Sequence, residues 1–171
     1  MHLVGIDFEM ANAIDGSLCG FGLAYPWGET VAGVLRLHPE RGGKQERDRW
    51  HHISPAKTAT GNPPEVLYNL LKELPEDTVL VAHDARIDKK ALYGWFRMWD
   101  LEPLHFDWFD TLRIARREFG KHGKTGIAAM AARLGMEVRP HHAGDDALVA
   151  LKIAQTYDWG RFDVDKAPAL V

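Results

Sequence analysis

At 171 residues, 46% hydrophobic and 26% charged, the chain has the make-up of a globular protein with one domain and a real core. A formal net charge of −3 argues against a protein held on nucleic acid by bulk charge alone, but leaves room for an enzyme whose acids are neutralised by metal. No apolar run approaches a membrane span, no secretory signal precedes the first strand, and the single Cys19 cannot form an internal disulfide, so a cytoplasmic setting without a membrane partner is expected.

Leu3 to Met10 reads as a strand, apolar and β-branched, with no turn residue until Asn12. Side chains alternate along a strand, so Asp7 and Glu9 share one face while Ile6, Phe8 and Met10 take the other. Two carboxylates on one face of an apolar strand repel, and burying either alone is costly. A divalent cation between them removes the conflict; two solvated acids on an exposed edge strand would also avoid it.

Leu18 to Tyr25 and Thr30 to Leu37 read as further strands around a Pro26-Trp27-Gly28-Glu29 turn, giving an antiparallel meander. Residues 38–62 are polar and broken by proline and glycine, a long surface loop with room for a short helix. Pro63-Pro64 opens a helix with the stripe Leu67, Leu70, Leu71 and Leu74, closed by Pro75. Thr78 to Ala82 is near-continuously apolar, as in a parallel strand buried on both faces. His83 to Asp88 leads into a helix to about Trp99, and Phe106 to Phe109 is a shorter strand. Asp110-Thr111 caps a helix towards Phe119, and Thr125 caps another ending at Gly135. The run from Pro140 to Asp146 opens a last helix to about Tyr157. Residues 1–157 thus form one domain and 158–171 a short, loosely packed tail. The fold class is α/β, a mixed five-stranded sheet of three antiparallel then two parallel strands flanked by helices. Ligand sites on such sheets lie near the carboxyl ends of strands, where Asp7, Glu9 and the His83–Asp88 stretch can meet.

Taken singly, Asp88 and Asp146 are acids early in helices, where the helix dipole favours them, and His141 is a loop histidine. Together the stretches form a pattern. Asp7-Phe8-Glu9 resembles the first motif of the DnaQ-like (DEDDh) 3′–5′ exonucleases. His83-Asp84-Ala85-Arg86-Ile87-Asp88 resembles the second, His-Asn-x-x-Phe-Asp. His141-His142-Ala143-Gly144-Asp145-Asp146 is similar to the third, His-x-Ala-x-x-Asp, and Asp110-Thr111-Leu112 opens a run like the family's Asp-Thr-Leu-x-Leu-Ala-Arg.

The resemblance implies a ribonuclease-H-like fold and two divalent metal ions, Mg²⁺ or Mn²⁺. It implies metal ligands at Asp7, Glu9, Asp88 and Asp146, and a general base at His141, five positions before Asp146. It carries substrate-binding expectations to Phe8, Met10, Ala11, Asn12, His83 and Asp84. The implied substrate is nucleic acid with a free 3′ end, single-stranded, with DNA favoured over RNA. Three departures stand out. Asp84 replaces the usual Asn, Ile87 replaces Phe with an effect expected on packing only, and Met10-Ala11-Asn12 replaces Thr-Thr-Gly. Zinc is disfavoured despite nine His, because no second Cys is present and adjacent histidines rarely face one metal.

Arg113, Arg116, Arg117, Lys121 and Lys124, with Arg86, Lys89 and Lys90, read either as solvated helix faces or as a rim that tracks phosphates. Trp50 or Trp108 would serve as a stacking surface if exposed and as core if not. The alternatives to a freestanding enzyme are a proofreading subunit of a DNA polymerase, similar to epsilon chains, and a non-catalytic nucleic-acid-binding module.

Overall fold

In a computed structural model the acid-bearing strand takes the centre of the sheet. Residues 1–120, 122–139, 141–157 and 164 are described. Lys121 and the expected tail from Asp158, Val164 apart, lie outside them. Strand β1 (His2–Met10) pairs antiparallel with β2 (Leu18–Ala24), which pairs antiparallel with β3 (Thr30–Val34). On its other side β1 runs parallel to β4 (Thr78–Ala82), and β4 parallel to β5 (Asp107–Asp110). The order β3-β2-β1-β4-β5 is the expected mixed five-stranded sheet. Every residue of β4 is buried, as its apolar run requires.

Helices α1 (Asp48–His51) and α2 (Pro55–Ala59) occupy the stretch read as a loop. Pro55 begins α2, and the Ser54 hydroxyl caps it by accepting from the Lys57 N–H. Then come α3 (Pro64–Lys72), α4 (Ala85–Met98), α5 (Thr111–Phe119), α6 (Ile127–Arg133) and α7 (Ala143–Thr156). Asp110 caps α5 as expected, its carboxylate accepting from the Leu112 N–H at 2.9 Å. Thr125 does not cap α6: Gly126 takes that position without a side-chain bond. The third strand stops at Val34, and Leu35 instead bridges Asn62. Trp108 is fully buried in the core, which removes it from the stacking candidates, whereas Trp50 is exposed. No described helix is long and apolar enough to cross a membrane.

Helix α7 lies against the sheet at backbone distance. A Cβ on Gly5 of β1 would collide with the Ala147 carbonyl, and one on Gly22 of β2 with the Ala143 carbonyl. Glycine at both positions lets the first turn of α7 settle directly on the strands beside the acidic end of β1. Asp146 sits in that first turn.

Candidate active site

Asp7 and Glu9 project from one face of β1, as period two dictates, and Asp146 approaches from α7. Ligating oxygens of these three carboxylates lie within 4.8 Å of one another. Asp88, in the first turn of α4, is buried rather than exposed, and its Oδ1 accepts from the Phe8 N–H at 3.1 Å. It stands beside Asp7 but is not one of the three convergent groups.

The electrostatics mark the cluster as incomplete. Burial first, then repulsion from Asp88, Glu9 and Asp146, raises the Asp7 pKa well above the usual carboxylate range. Burial and Asp146 push Glu9 up to about 7. Burial pushes Asp88 up to about 8 against the Phe8 hydrogen bond, and burial with Asp145 pushes Asp146 up to about 6. Among the described residues no Lys or Arg forms an ion pair with any of the four. Oxygen-only donors, crowded and mutually repelling, fit a hard divalent cation of the Mg²⁺ or Mn²⁺ kind.

His141 precedes α7 in a left-handed conformation with φ 53°. It borders two cavities: one of about 420 Å³ shared with Glu9, Gly20, His51 and Lys57, and one of about 380 Å³ shared with Asp146 and the apolar face of α6. His142 has different work. Its Nδ1 accepts from the Asp145 N–H at 3.4 Å and so caps α7. The same nitrogen lies 3.2 Å from Arg139 Nη2.

The residues expected to touch substrate divide. Phe8 is buried, and Met10 is partly buried against the core. Ala11 is fully buried, and its carbonyl accepts from the Glu46 and Arg47 N–H groups. Asn12 is buried: its amide donates to the Gly42 and Lys44 carbonyls at 2.8 Å each and accepts from the Ile14 N–H at 2.8 Å. These two pin the 38–47 segment to the acid-bearing end of β1, with the Asn12 amide consumed in doing so. His83 is tied at both nitrogens, 3.0 Å from Thr111 Oγ1 and 2.8 Å from the Thr125 carbonyl. Burial lowers its pKa. It fastens the end of β4 to α5 and to the approach of α6.

Asp84 adopts φ 70°, a left-handed conformation that Asn and Asp tolerate better than other side chains. That backbone demand is met by aspartate as well as by the asparagine expected here from the resemblance. The added charge is met by Arg86, whose Nε lies 3.0 Å from Oδ1 and Nη2 3.2 Å from Oδ2. Ile87 overturns the packing expectation: it is 58% exposed. With Met10, Arg47, Arg86 and Lys90 it lines a groove of about 330 Å³ on the α4 side. On α5, Arg117 pairs with Glu118 at 2.7 Å, and Arg133 of α6 lies over the Phe119 ring.

Sequence reasoning missed His51 and Gln45. The His51 Nδ1 accepts from the Ile53 N–H at 3.1 Å, and Gln45 donates to the Ile53 carbonyl at 3.0 Å. His51 and Ile53 line the same cavity as His141, and Gln45 holds Ile53 from behind. The only signal in the sequence is the adjacent pair His51-His52. Cys19 beneath them is driven by burial to about 12 and is no nucleophile.

Residues 35–154 match the exonuclease family model RNase_T, a span that leaves β1 outside. The DNA polymerase III PolC-type of Streptococcus pneumoniae serotype 2 (strain D39) is 30% identical over 91 residues, 53% of this chain, which covers only 6% of that polymerase. The fold resembles the nuclease domain of 3′hExo, a DEDDh family member bound to rAMP, with a TM-score of 0.69 at 18% identity, covering 98% of this chain and 97% of that one. It also resembles a 3′-exonuclease solved for recognition of the histone mRNA stem-loop 3′ end, with a TM-score of 0.70 at 17% identity, covering 90% and 62%.

Proposed function

We propose, because the chain belongs to the RNase_T exonuclease family, that it is a metal-dependent 3′–5′ exonuclease releasing nucleoside 5′-monophosphates. The observation that carries this reading is the convergence of Asp7 and Glu9, partly buried, with the buried Asp146, mutually repelling and, among the described residues, without an ion-pair partner. Asp88 completes the ligand set from beside Asp7. Divalent ions bound there would polarise the phosphate and offset charge at the attacking and leaving oxygens, in a two-metal arrangement.

The chain's own residues supply the rest. His141, neutral, takes a proton from water on a ring nitrogen as the water oxygen bonds to phosphorus. The P–O3′ bond breaks, the 3′ oxygen of the penultimate nucleotide leaves and is protonated from solvent, and the terminal nucleotide departs with its 5′-phosphate. Ile87 and Met10 offer apolar surface, and Arg47 a charge, in the groove on the α4 side where a terminal base and backbone fit. Pinning of Ala11 and Asn12 keeps that wall in place.

Single-stranded DNA is the favoured substrate, supported by the polymerase relative; RNA is the alternative suggested by the RNA-directed structural neighbour. The same relative favours a second reading, association with a DNA polymerase, which co-purification tests. The primary test is digestion of matched DNA and RNA oligonucleotides with Mg²⁺ or Mn²⁺. A ladder that shortens from a free 3′ end and vanishes with chelator is expected. Efficient cutting of a closed circle, or full activity in excess chelator, would overturn the reading.

A further inference from the structure

We infer that Arg139 and Asp145 form a clamp that positions His141, and that Arg139 is a positioning residue for the reaction rather than a phosphate contact. This rests on the proposed role of His141 as the base. Three donors from one residue converge on one carboxylate. The Arg139 N–H meets Asp145 Oδ2 at 2.8 Å, its Nε meets Oδ2 at 2.9 Å, and its Nη2 meets Oδ1 at 2.8 Å. His142 Nδ1, which caps the helix, lies 3.2 Å from Arg139 Nη2 as an acceptor and closes the figure. Asp145 is anchored in the first turn of α7, one residue from Asp146.

The consequence is geometric. Residue 139 is fastened to residue 145 by backbone and side chain together. His141 lies between these two fixed points in the chain and borders both the cavity shared with Glu9 and the one shared with Asp146. Two residues that follow His141 are accounted for on the protein side: His142 is the helix cap, and Asp145 receives the guanidinium. A left-handed residue such as His141 persists where its surroundings over-determine it, and this clamp does so.

Charge argues the same way. The Arg139 guanidinium borders the Glu9 cavity and is 69% exposed, as a phosphate contact would be, but its fork is spent on Asp145. A half-exposed ion pair adds little to stability, so a bidentate pair with a third, backbone bond is better explained by placement than by strength.

The test is a double-mutant cycle on a single-stranded DNA oligonucleotide with Mn²⁺, with melting temperature and calorimetric Mn²⁺ affinity measured on each protein. Arg139→Gln should lower kcat about 10- to 100-fold, as expected for misplacing a reacting group by about an ångström, with KM and Mn²⁺ affinity unchanged. In the His141→Ala background the same change should cost nothing further. Arg139→Lys keeps the charge but not the fork, and should fall between the two. Equal losses in both backgrounds would show a structural effect only, and full kcat in Arg139→Gln or Arg139→Lys would remove the clamp. If His141→Ala itself keeps the full rate, the base assignment fails and the clamp with it. If His141→Ala loses the rate while Arg139→Gln keeps it, the clamp alone is wrong.

Discussion

Glu9→Gln should make the metal-free protein more stable at alkaline pH while destroying its activity. Burial and Asp146 drive Glu9 from 4.5 to about 7 in the fold. Between those values the folded chain binds more protons than the unfolded one, so stability falls as pH rises through that window and the penalty is fully developed above about 7. At pH 8 it amounts to about 3 kcal/mol, and at pH 5 to less than about 1 kcal/mol. Glutamine keeps the shape and never ionises. For a chain of this size each kcal/mol moves the melting temperature by about 2–4 °C. Chelator-treated Glu9→Gln should therefore melt about 6–12 °C above the native sequence at pH 8 and close to it at pH 5. Mn²⁺ at 100 times its dissociation constant should return about 2.7 kcal/mol to the native protein, and much less to the variant. A scanning calorimetry series at both pH values, with and without Mn²⁺, reads all four states. A variant no more stable than the native protein at pH 8, or stabilised equally at both pH values, would refute the view that Glu9 is an uncompensated acid awaiting a cation.

Two further changes test the surroundings of the site. His142→Ala should keep most of kcat but lose about 1 kcal/mol in urea unfolding, as a removed helix cap does, whereas His141→Ala should lose most of kcat at unchanged stability; the reverse pattern would show that the base is His142. Gly22→Ala should cost about 2–4 kcal/mol in the same urea assay and reduce activity, because its Cβ would strike the Ala143 carbonyl and push α7 off the sheet; a fully stable, fully active variant would mean that α7 does not sit at backbone distance.

The parts legible in the sequence were those whose signal is local. Period two placed Asp7 and Glu9 on one face of β1, a continuous apolar run gave β4 its bounds, and an Asp-Thr pair gave α5 its start. What escaped depends on partners distant in the chain. Asn12 looked like a residue for substrate, yet its amide is consumed by the carbonyls of Gly42 and Lys44, some thirty residues on. The helices α1 and α2 are short segments whose position is set by Ala11, Gln45 and Ile53 rather than by an apolar stripe. Ile87 looked like packing because its type is apolar, but its place early in α4 turns it outward. Asp84 was read as a departure in charge, whereas its backbone angle is the property the position selects.

The carboxylates that converge come from the first strand and the last helix, Asp7 and Glu9 on β1 and Asp146 on α7. A contact that spans nearly the whole described chain is among the last to be secured during folding, since the cost of loop closure must be met first. The nuclease therefore has no partial activity to release early: a chain emerging from synthesis carries Asp7 and Glu9 long before the helix that completes their company. Later in its life the same arrangement makes hydrolysis a report on the integrity of the whole sheet. In the proposed arrangement, any loosening of α7 from the sheet would withdraw Asp146 and silence the site.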